Sequence, residues 1–307
     1  MIKKTLCFSN PAYLSIRNKQ LVIKLPEVEN SSIEQSQKDL HIVTRPIEDI
    51  GVIILDNKQI TITSSTIEAL LDNNCALITC DNKSMPVGLM LPLCGNTTQC
   101  ERFSKQIEAS IPLKKQLWQQ TVQQKIMNQA SILQSCKHEE VRCMRVWAAD
   151  VRSGDPDNIE ARAAAYYWRA MFSEISFKRD RDGESPNNLL NYGYAILRAV
   201  IARSLVASGL LPTLGIHHHN RYNAYCLADD IMEPYRPYID RLVFNLYKNG
   251  ARELTSEIKK ELLGIPVIDV EIGGKRSPLM IASLQTTSSL FKCFDGERRK
   301  ITFPEIK

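Results

Sequence analysis

The chain contains 307 residues, of which 44% are hydrophobic and 24% are charged, and its formal net charge is +5. This globular composition fits one large domain or two small ones, and the mild positive charge permits nucleic-acid binding without requiring it. No stretch approaches the ~18 uninterrupted apolar residues of a transmembrane helix, and the start MIKKTLCFSN lacks the apolar run of a signal peptide. Nine cysteines without a CxxC pair are typical of reduced thiols. The sequence therefore predicts a cytoplasmic protein without a membrane-spanning segment.

The first part of the chain has a β-rich pattern. Short β-branched and apolar runs alternate there with turn-forming residues such as Asn10-Pro11. The predicted strands are Lys4–Ser9, Tyr13–Ile16, Gln20–Leu25, Leu40–Thr44, Gly51–Leu55, Gln59–Thr63, Cys75–Cys80 and Met85–Leu91. Ser65, three residues before Glu68, has the spacing of a capping box and predicts a helix over Thr66–Asn73.

From about residue 97 onward the apolar residues follow helical spacing, and strand patterns are scarce. The predicted helices are Glu101–Ser135, Val141–Ala149, Ile159–Phe172, Pro186–Ser208 and Ile239–Ala251. A boundary near Leu93–Thr98 then separates a β-rich domain, residues 1–93, from an α-helical domain, residues 94–307. This order predicts an α+β fold, with a small N-terminal β-rich domain followed by a larger all-α catalytic domain. A doubly wound α/β fold would alternate strands and helices throughout.

One segment groups three consecutive histidines with three carboxylates downstream. These residues are His217, His218, His219, Asp229, Asp230 and Glu233. Adjacent histidines on an extended segment face opposite sides, so at most two can join one site. Asp230 and Glu233 share a helical face, and Asp229 could share it too. One imidazole with carboxylates suits magnesium or manganese better than structural zinc. Acids at a helix start are also favoured by the helix dipole alone, so spacing leaves both interpretations open.

Glu160 could supply a further metal ligand from a separate helix. It follows the pair Asp157-Asn158, either of which could cap an Ala-rich helix. A glutamate near a helix start is often favoured by the helix dipole alone, so Glu160 by itself is weak evidence for a metal site. The sequence has no GxxxxGK[ST], GxGxxG, GxSxG or HExxH motif, which argues against nucleotide hydrolysis, dinucleotide binding, serine hydrolysis and zinc proteolysis.

Several strings resemble one known family. Asp230–Pro237, completed by Asp240, resembles the signature D-[LI]-M-E-P-[FY]-R-P of the CRISPR-associated adaptation endonucleases, the Cas-one integrases. Gly215–His218 is similar to the family's G-x-x-H element, and Glu160–Tyr167 to its E-x-x-A-A-x-x-Y helix start. Asn220–Tyr225 and the N-terminal order of elements are similar to the type II branch. The resemblance covers essentially the whole chain.

The resemblance implies that Glu160, His218 and Glu233 hold Mg²⁺ or Mn²⁺. It also implies that Asp230, rather than Asp229, is an acidic catalytic neighbour of the metal. The implied reaction is that of a metal-dependent DNA endonuclease and integrase of CRISPR adaptation. In it, the 3′ hydroxyl of a short duplex attacks a phosphodiester of a CRISPR repeat.

The resemblance also implies partners. The β-rich domain would form a homodimer, and double-stranded prespacer and repeat DNA would be the ligands. A small ferredoxin-like adaptation partner would complete a heterohexamer. Further type II adaptation proteins and the effector nuclease would join it.

Two other functions stay open at this point. The same side chains could serve a structure-specific DNA repair nuclease, which would cleave branched DNA lacking any repeat. The acids could instead be helix caps in a non-catalytic DNA-binding scaffold, which would bind DNA without a divalent metal and transfer no strand.

Overall fold

The computed structural model of the chain describes residues 3–138, 141–180 and 183–307. The chain divides into two compact units, Met1–Gly95 and Asn96–Lys307. The first unit is rich in strands and the second is mostly helical. The predicted α+β fold class is therefore confirmed.

The first unit is built from two four-stranded sheets. Its strands are β1 (Lys4–Phe8), β2 (Ala12–Arg17), β3 (Gln20–Lys24), β4 (Val43–Pro46), β5 (Ile50–Leu55), β6 (Ile60–Ile62), β7 (Ala76–Cys80) and β8 (Pro86–Met90). Its α-helices are α1 (Pro26–Glu29), α2 (Gln35–Asp39) and α3 (Ser64–Asp72). The sheets have the orders β1-β5-β7-β8 and β4-β3-β2-β6.

Strand β5 lies inside its sheet, parallel to both β1 and β7. Its sequence Ile-Gly-Val-Ile-Ile-Leu is apolar throughout and almost fully buried, as a parallel strand covered on both faces requires. Leu14 of β2, Ile53 of β5 and Leu70 of α3 share one hydrophobic core. This core joins the two sheets through α3.

Local signals place the elements of this unit only approximately. Helix α3 begins at Ser64 rather than Thr66, and Thr63 precedes it with its hydroxyl 2.7 Å from that of Thr66. The capping box predicted from Ser65 is wrong, because Ser65 lies inside the helix. The strand predicted from Leu40 begins at Val43 instead.

The second unit surrounds one central helix. Its helices are α4 (Gln99–Glu108), α5 (Ile111–Lys137), α6 (Arg142–Asp150), α7 (Ile159–Met171), α8 (Asn187–Ala207), α9 (Cys226–Met232), α10 (Arg236–Lys248), α11 (Ser256–Leu262) and α12 (Leu279–Phe294). Its strands are β9 (Asp269–Ile272), β10 (Lys275–Pro278) and β11 (Pro304–Glu305).

Helix α8 is the central helix, and it contacts α9, α10 and α12. Among the described residues, it alone is long and apolar enough to span a membrane by composition, and 78% of that window is buried inside the unit. Such burial is expected of a core helix, which is apolar on all sides.

The predicted helix Glu101–Ser135 is two helices, α4 and α5. The break has a local cause, because Ser110 caps α5 by accepting a hydrogen bond from the Leu113 backbone N–H at 3.3 Å. Pro112 occupies the first turn of α5, where its missing N–H costs nothing.

The sequence patterns gave no sign of the small sheet β10-β9-β11 in the helical unit. Its strands have four, four and two residues, too few to show alternation. Gly273 and Gly274 join β9 to β10 with φ angles of +57° and +74°, which suit a tight two-residue hairpin.

Helix α5 contacts α6, α7, α10 and the turn that joins α9 to α10. This packing brings three segments distant in sequence to the same region of the second unit: α5, the start of α7, and the α9–α10 turn. The predicted site residues lie on or next to these segments.

Candidate metal centre

Glu160 is the second residue of α7, and its backbone is fixed by a cap. The carboxylate of Asp155 accepts hydrogen bonds from the backbone N–H groups of Ile159 (2.9 Å) and Glu160 (3.0 Å). The cap predicted from Asp157-Asn158 is wrong, because Asp157 pairs with Arg152 instead and Asn158 makes no side-chain cap. The cap therefore comes from a residue earlier in the loop, and it fixes the backbone from which the Glu160 side chain projects.

Glu233 lies where two helices meet. Helix α9 ends at Met232, and Glu233 opens a single 3₁₀ turn that leads into α10. Pro234 causes this change, because it has no N–H to continue the helical hydrogen bonds. Glu233 is only 5% exposed, so its carboxylate needs partners within the protein.

Lys125 of α5 supplies one partner and links the two glutamates. Its Nζ lies 2.6 Å from Oε1 of Glu160 and 2.5 Å from Oε2 of Glu233. Arg236 approaches the other Glu233 oxygen, with its Nε 2.9 Å from Oε1. Carboxylate oxygens from two separate helical segments therefore converge on one cationic nitrogen.

The charges in this cluster stabilise one another. Burial alone would lower the pKa of Lys125, but Glu233 and Glu160 outweigh it and raise that pKa above its usual value. Burial alone would raise the pKa of Glu233, but Arg236 and Lys125 hold that pKa below its usual range. Both side chains are therefore charged at neutral pH.

One atom of the cluster has no well-directed donor. Lys125 lies within ion-pair distance of Glu233 Oε2, but no hydrogen-bond donor in the described parts of the chain is aligned with that buried oxygen. A buried carboxylate oxygen without an aligned donor is suited to a cation, which needs no N–H or O–H direction.

The histidine loop is fixed by one buried carboxylate. Oδ2 of Asp230 accepts hydrogen bonds from the backbone N–H groups of Ile216 (2.7 Å) and His217 (3.0 Å). Oδ1 accepts one from the backbone N–H of His218 (3.3 Å) and lies 2.5 Å from the ring Nδ1 of His218. Asp230 is fully buried.

Gly215 makes this arrangement possible. A Cβ at that position would lie 2.3 Å from the backbone oxygen of His218 and 2.8 Å from Oδ2 of Asp230. The contact with a backbone atom cannot be relieved by a rotamer change. Only glycine fits, which gives the Gly215–His218 spacing a physical cause.

The three histidines have different surroundings. The ring of His217 stacks on Trp118 of α5, with centroids 4.1 Å apart and planes 3° apart. The ring of His218 meets the same tryptophan edge-on at 5.5 Å. His219 is exposed. Burial lowers the pKa of His217, whereas the hydrogen bond with Asp230 raises the pKa of His218 against the opposing effect of burial.

The predicted site residues thus fall into two groups around Lys125 and Asp230. Glu160 and Glu233 meet at Lys125, and both carboxylates are close enough to raise the pKa of His218. Among residues 3–138, 141–180 and 183–307, no three His, Cys, Asp or Glu side chains lie close enough together to hold a metal as they stand. Lys125 lies between the two glutamates.

Asp229 serves another purpose. Its Oδ1 lies 2.6 Å from Nε of Arg198, and its Oδ2 accepts a hydrogen bond from Asn223 at 2.7 Å. It therefore ties α9 to α8 and to the loop before α9, whereas its neighbour Asp230 holds the histidine loop.

The sequence patterns did not single out Lys125 or Trp118. A signal exists for Lys125, because it follows Leu117 and Thr121 at four-residue spacing on the buried face of α5. A charged residue on the buried face of a helix is rare unless it is paired. That spacing indicates an ion pair, but not which acids form it.

The donor set fits a divalent cation. Two carboxylates from separate helical segments already surround one positive charge, and His218 adds an imidazole held by Asp230 through Nδ1. Hard oxygen donors with a single imidazole suit Mg²⁺ or Mn²⁺ better than structural zinc.

The chain matches the family model of the CRISPR associated protein Cas1 over residues 6–262. It belongs to the Cas1 family. The CRISPR-associated endonuclease Cas1 of Neisseria meningitidis serogroup C (strain 8013) is 38% identical over 312 residues, which cover 100% of this chain and 97% of the relative. The predicted family and the predicted class of CRISPR-associated endonuclease are therefore confirmed, and Cas1 membership implies a nuclease that depends on a divalent metal.

Solved structures share the Cas1 fold. A casposase bound to its integration product has a TM-score of 0.77 at 20% identity, covering 98% of this chain and 92% of the casposase. A chain of a Cas6-RT-Cas1–Cas2 complex has a TM-score of 0.75 at 18% identity, covering 99% of this chain and 36% of that one. At these identities, the likeness concerns the fold.

Proposed function

We propose that Glu160, His218 and Glu233 hold Mg²⁺ or Mn²⁺ and that the chain integrates short duplex DNA into a CRISPR repeat. The observation that carries this proposal is the convergence of the Glu160 and Glu233 carboxylates on one buried cation beside His218. The casposase match, a structure with an integration product, supports strand transfer as the reaction.

The reaction exchanges one phosphodiester for another. The 3′ oxygen of the incoming duplex bonds to a repeat phosphorus, and the bond from that phosphorus to the displaced 3′ oxygen breaks. A divalent ion, when bound, would stabilise the negative charge that develops on the phosphate oxygens. Glu160 and Glu233 contribute anionic oxygens to the centre, and His218 contributes one neutral nitrogen.

Asp230 acts by orienting His218. Its carboxylate is fully buried and faces three backbone N–H groups as well as the histidine ring. With its proton held on Nδ1, His218 presents Nε2 as the metal-binding nitrogen.

Exposed arginines on α6 and α7 offer a surface for DNA phosphates. They are Arg142, Arg145, Arg162 and Arg169. Arg162 lies two residues after Glu160, and its guanidinium stacks 4.7 Å from the centroid of the Trp147 ring. Neutralising phosphates releases counterions, so DNA binding to this surface weakens as salt rises.

Integration of a 3′-hydroxyl duplex into a repeat-bearing plasmid in Mn²⁺ tests the proposal. Glu160→Gln and His218→Ala abolish integration while circular dichroism shows a folded protein. Glu174→Gln is the matched control, because Glu174 is an exposed glutamate that pairs with Lys137. Full integration by both site variants contradicts the proposal.

The same assay separates the alternatives. Cleavage of branched DNA that lacks a repeat, with no integration, would show a repair nuclease that uses these residues. DNA binding without strand transfer in any divalent metal would show a non-catalytic scaffold. A duplex ending in a 3′ dideoxy nucleotide must give no product if the 3′ hydroxyl is the nucleophile.

We propose further that residues 1–93 form a dimerisation domain and residues 94–307 a catalytic and DNA-binding domain. The two compact units support this division. The Cas1–Cas2 match supports a Cas2 partner. A small ferredoxin-like form of that partner, a heterohexamer, and type II adaptation proteins with the effector nuclease as further partners belong to the same proposal. A cytoplasmic location belongs to the same proposal. Light scattering of the chain with and without the partner tests the assembly.

A further inference from the structure

Lys125 occupies the place where the two proposed metal-ligating carboxylates meet. Its Nζ is 2.6 Å from Glu160 Oε1 and 2.5 Å from Glu233 Oε2. Its side chain is only 10% exposed. The positive charge of this buried lysine therefore occupies the position that a metal ion would take.

We infer that Lys125 is a positioning residue that holds Glu160 and Glu233 together before a metal binds, and that a divalent cation displaces its ammonium group. This inference rests on the proposed metal centre. Lys125 and the metal thus compete for the same two carboxylates, so the lysine lowers metal affinity while it keeps the site assembled.

Like charges explain why the site needs a cation. Two carboxylates that face each other repel, and the buried one, Glu233, also loses its hydration, whereas the Glu160 side chain keeps 22% of its exposure. The ammonium group offsets both effects. It therefore fixes the start of α7 against the α9–α10 turn, although the two segments are far apart in sequence.

The two cations near Glu233 are not equivalent. Arg236 approaches Oε1 of Glu233 and makes no ion pair with Glu160 among the described contacts, whereas Lys125 lies between both acids. Lysine carries a compact charge on a flexible stem, so it can withdraw without moving the helix backbone. The Lys125 ammonium is the group that lies against Glu233 Oε2, so a cation that arrives at that atom must displace it.

Two consequences follow from removing the positive charge. Without metal, the acids are left to repel each other, so the protein becomes less stable. When a metal binds, no ammonium group has to be displaced and the Lys125 charge no longer repels the cation. The cation therefore binds more tightly. A merely structural lysine would show only the loss of stability.

Calorimetric titration of Mn²⁺ into the full chain without DNA tests the inference. Lys125→Met should bind Mn²⁺ about tenfold more tightly or better, within the usual range for two coupled binding events. Its Tm without metal should fall, and Mn²⁺ should raise that Tm more than it raises the wild-type value. Lys125→Gln provides a second neutral variant should the methionine variant fail to fold. Lys125→Arg keeps the charge and should show no tightening.

Lys137→Met is the matched control. Lys137 lies on the same helix and also pairs with a glutamate, Glu174. Its removal should leave Mn²⁺ affinity unchanged. Unchanged or weaker affinity in both Lys125→Met and Lys125→Gln overturns the inference.

Glu160→Gln separates this inference from the proposed function. If Glu160→Gln removes Mn²⁺ binding and neutral Lys125 variants do not tighten it, the metal centre stands and the role of Lys125 is wrong. If Mn²⁺ fails to bind at all, or binds equally well without Glu160 and His218, both are wrong.

Discussion

Replacement of Asp230 by asparagine tests how the histidine loop is built. Asp230→Asn keeps the size of the side chain but replaces one accepting oxygen by a donating NH₂. Oδ2 faces the backbone N–H groups of Ile216 and His217, while Oδ1 faces the backbone N–H and the ring of His218. Wherever the new NH₂ group lies, it therefore faces N–H groups that also need an acceptor.

The structure indicates which side gives way. The N–H of Ile216 is buried, and leaving it without an acceptor costs about 1–3 kcal/mol. We expect the amide oxygen to stay there and the NH₂ group to face the ring of His218. Nδ1 must then accept, which moves the ring proton to Nε2 and blocks the metal-binding nitrogen. Loss of such a supporting partner weakens metal binding by about 10–100-fold.

Calorimetric Mn²⁺ titration measures the affinity, and ¹⁵N chemical shifts of the His218 ring report the tautomer. Asp229→Asn is the control, because that neighbour pairs with Arg198 and Asn223 instead. Wild-type Mn²⁺ affinity in a folded Asp230→Asn protein would refute the reasoning.

Three further variants test other contacts. Gly215→Ala forces the His218 carbonyl to move, so we expect a loss of about 1–3 kcal/mol of stability and weaker Mn²⁺ binding. Burial raises the pKa of Asp240 to about 7 against the hydrogen bonds from Tyr194 and Tyr167. The folded state thus holds this proton more tightly than the unfolded state, so Asp240 should lower stability by up to about 1.4 kcal/mol per pH unit between about pH 4 and 7, a contribution that Asp240→Asn removes. Asn128→Ala removes hydrogen bonds to the carbonyls of Pro234 and Pro304 and from the N–H of Ile306, at a cost of about 2–4 kcal/mol.

Urea unfolding measures the three stability changes, at pH 4 to 8 for Asp240→Asn, and calorimetric titration measures the Mn²⁺ affinity of Gly215→Ala. Gly264→Ala is the comparison for Gly215→Ala, because its added Cβ would meet a backbone oxygen at 3.1 Å instead of 2.3 Å and should therefore cost less stability. Wild-type Mn²⁺ affinity in Gly215→Ala would contradict the first prediction. An unchanged pH slope in Asp240→Asn would contradict the second, and wild-type stability in Asn128→Ala would contradict the third.

The sequence by itself determined the fold class and the family. Apolar alternation in the first part and helical spacing in the second are properties of neighbouring residues, so they can be read locally. The string Asp230–Pro237 is likewise contiguous, and Pro234 alone indicates that the regular α-helix ends near Glu233. The short strands β9 to β11 were not predicted, because two to four residues are too few to show an alternation of apolar and polar side chains.

Only the tertiary structure determined which side chains contact one another in the site. Lys125 lies 35 residues before Glu160 in the chain, and no local pattern says that α5 carries the cation shared by α7 and the α9–α10 turn. The separate partners of Asp229 and Asp230 also depend on which helices and loops pack beside α9. Burial makes these choices, because a charge removed from water must find its counter-charge wherever the fold places one.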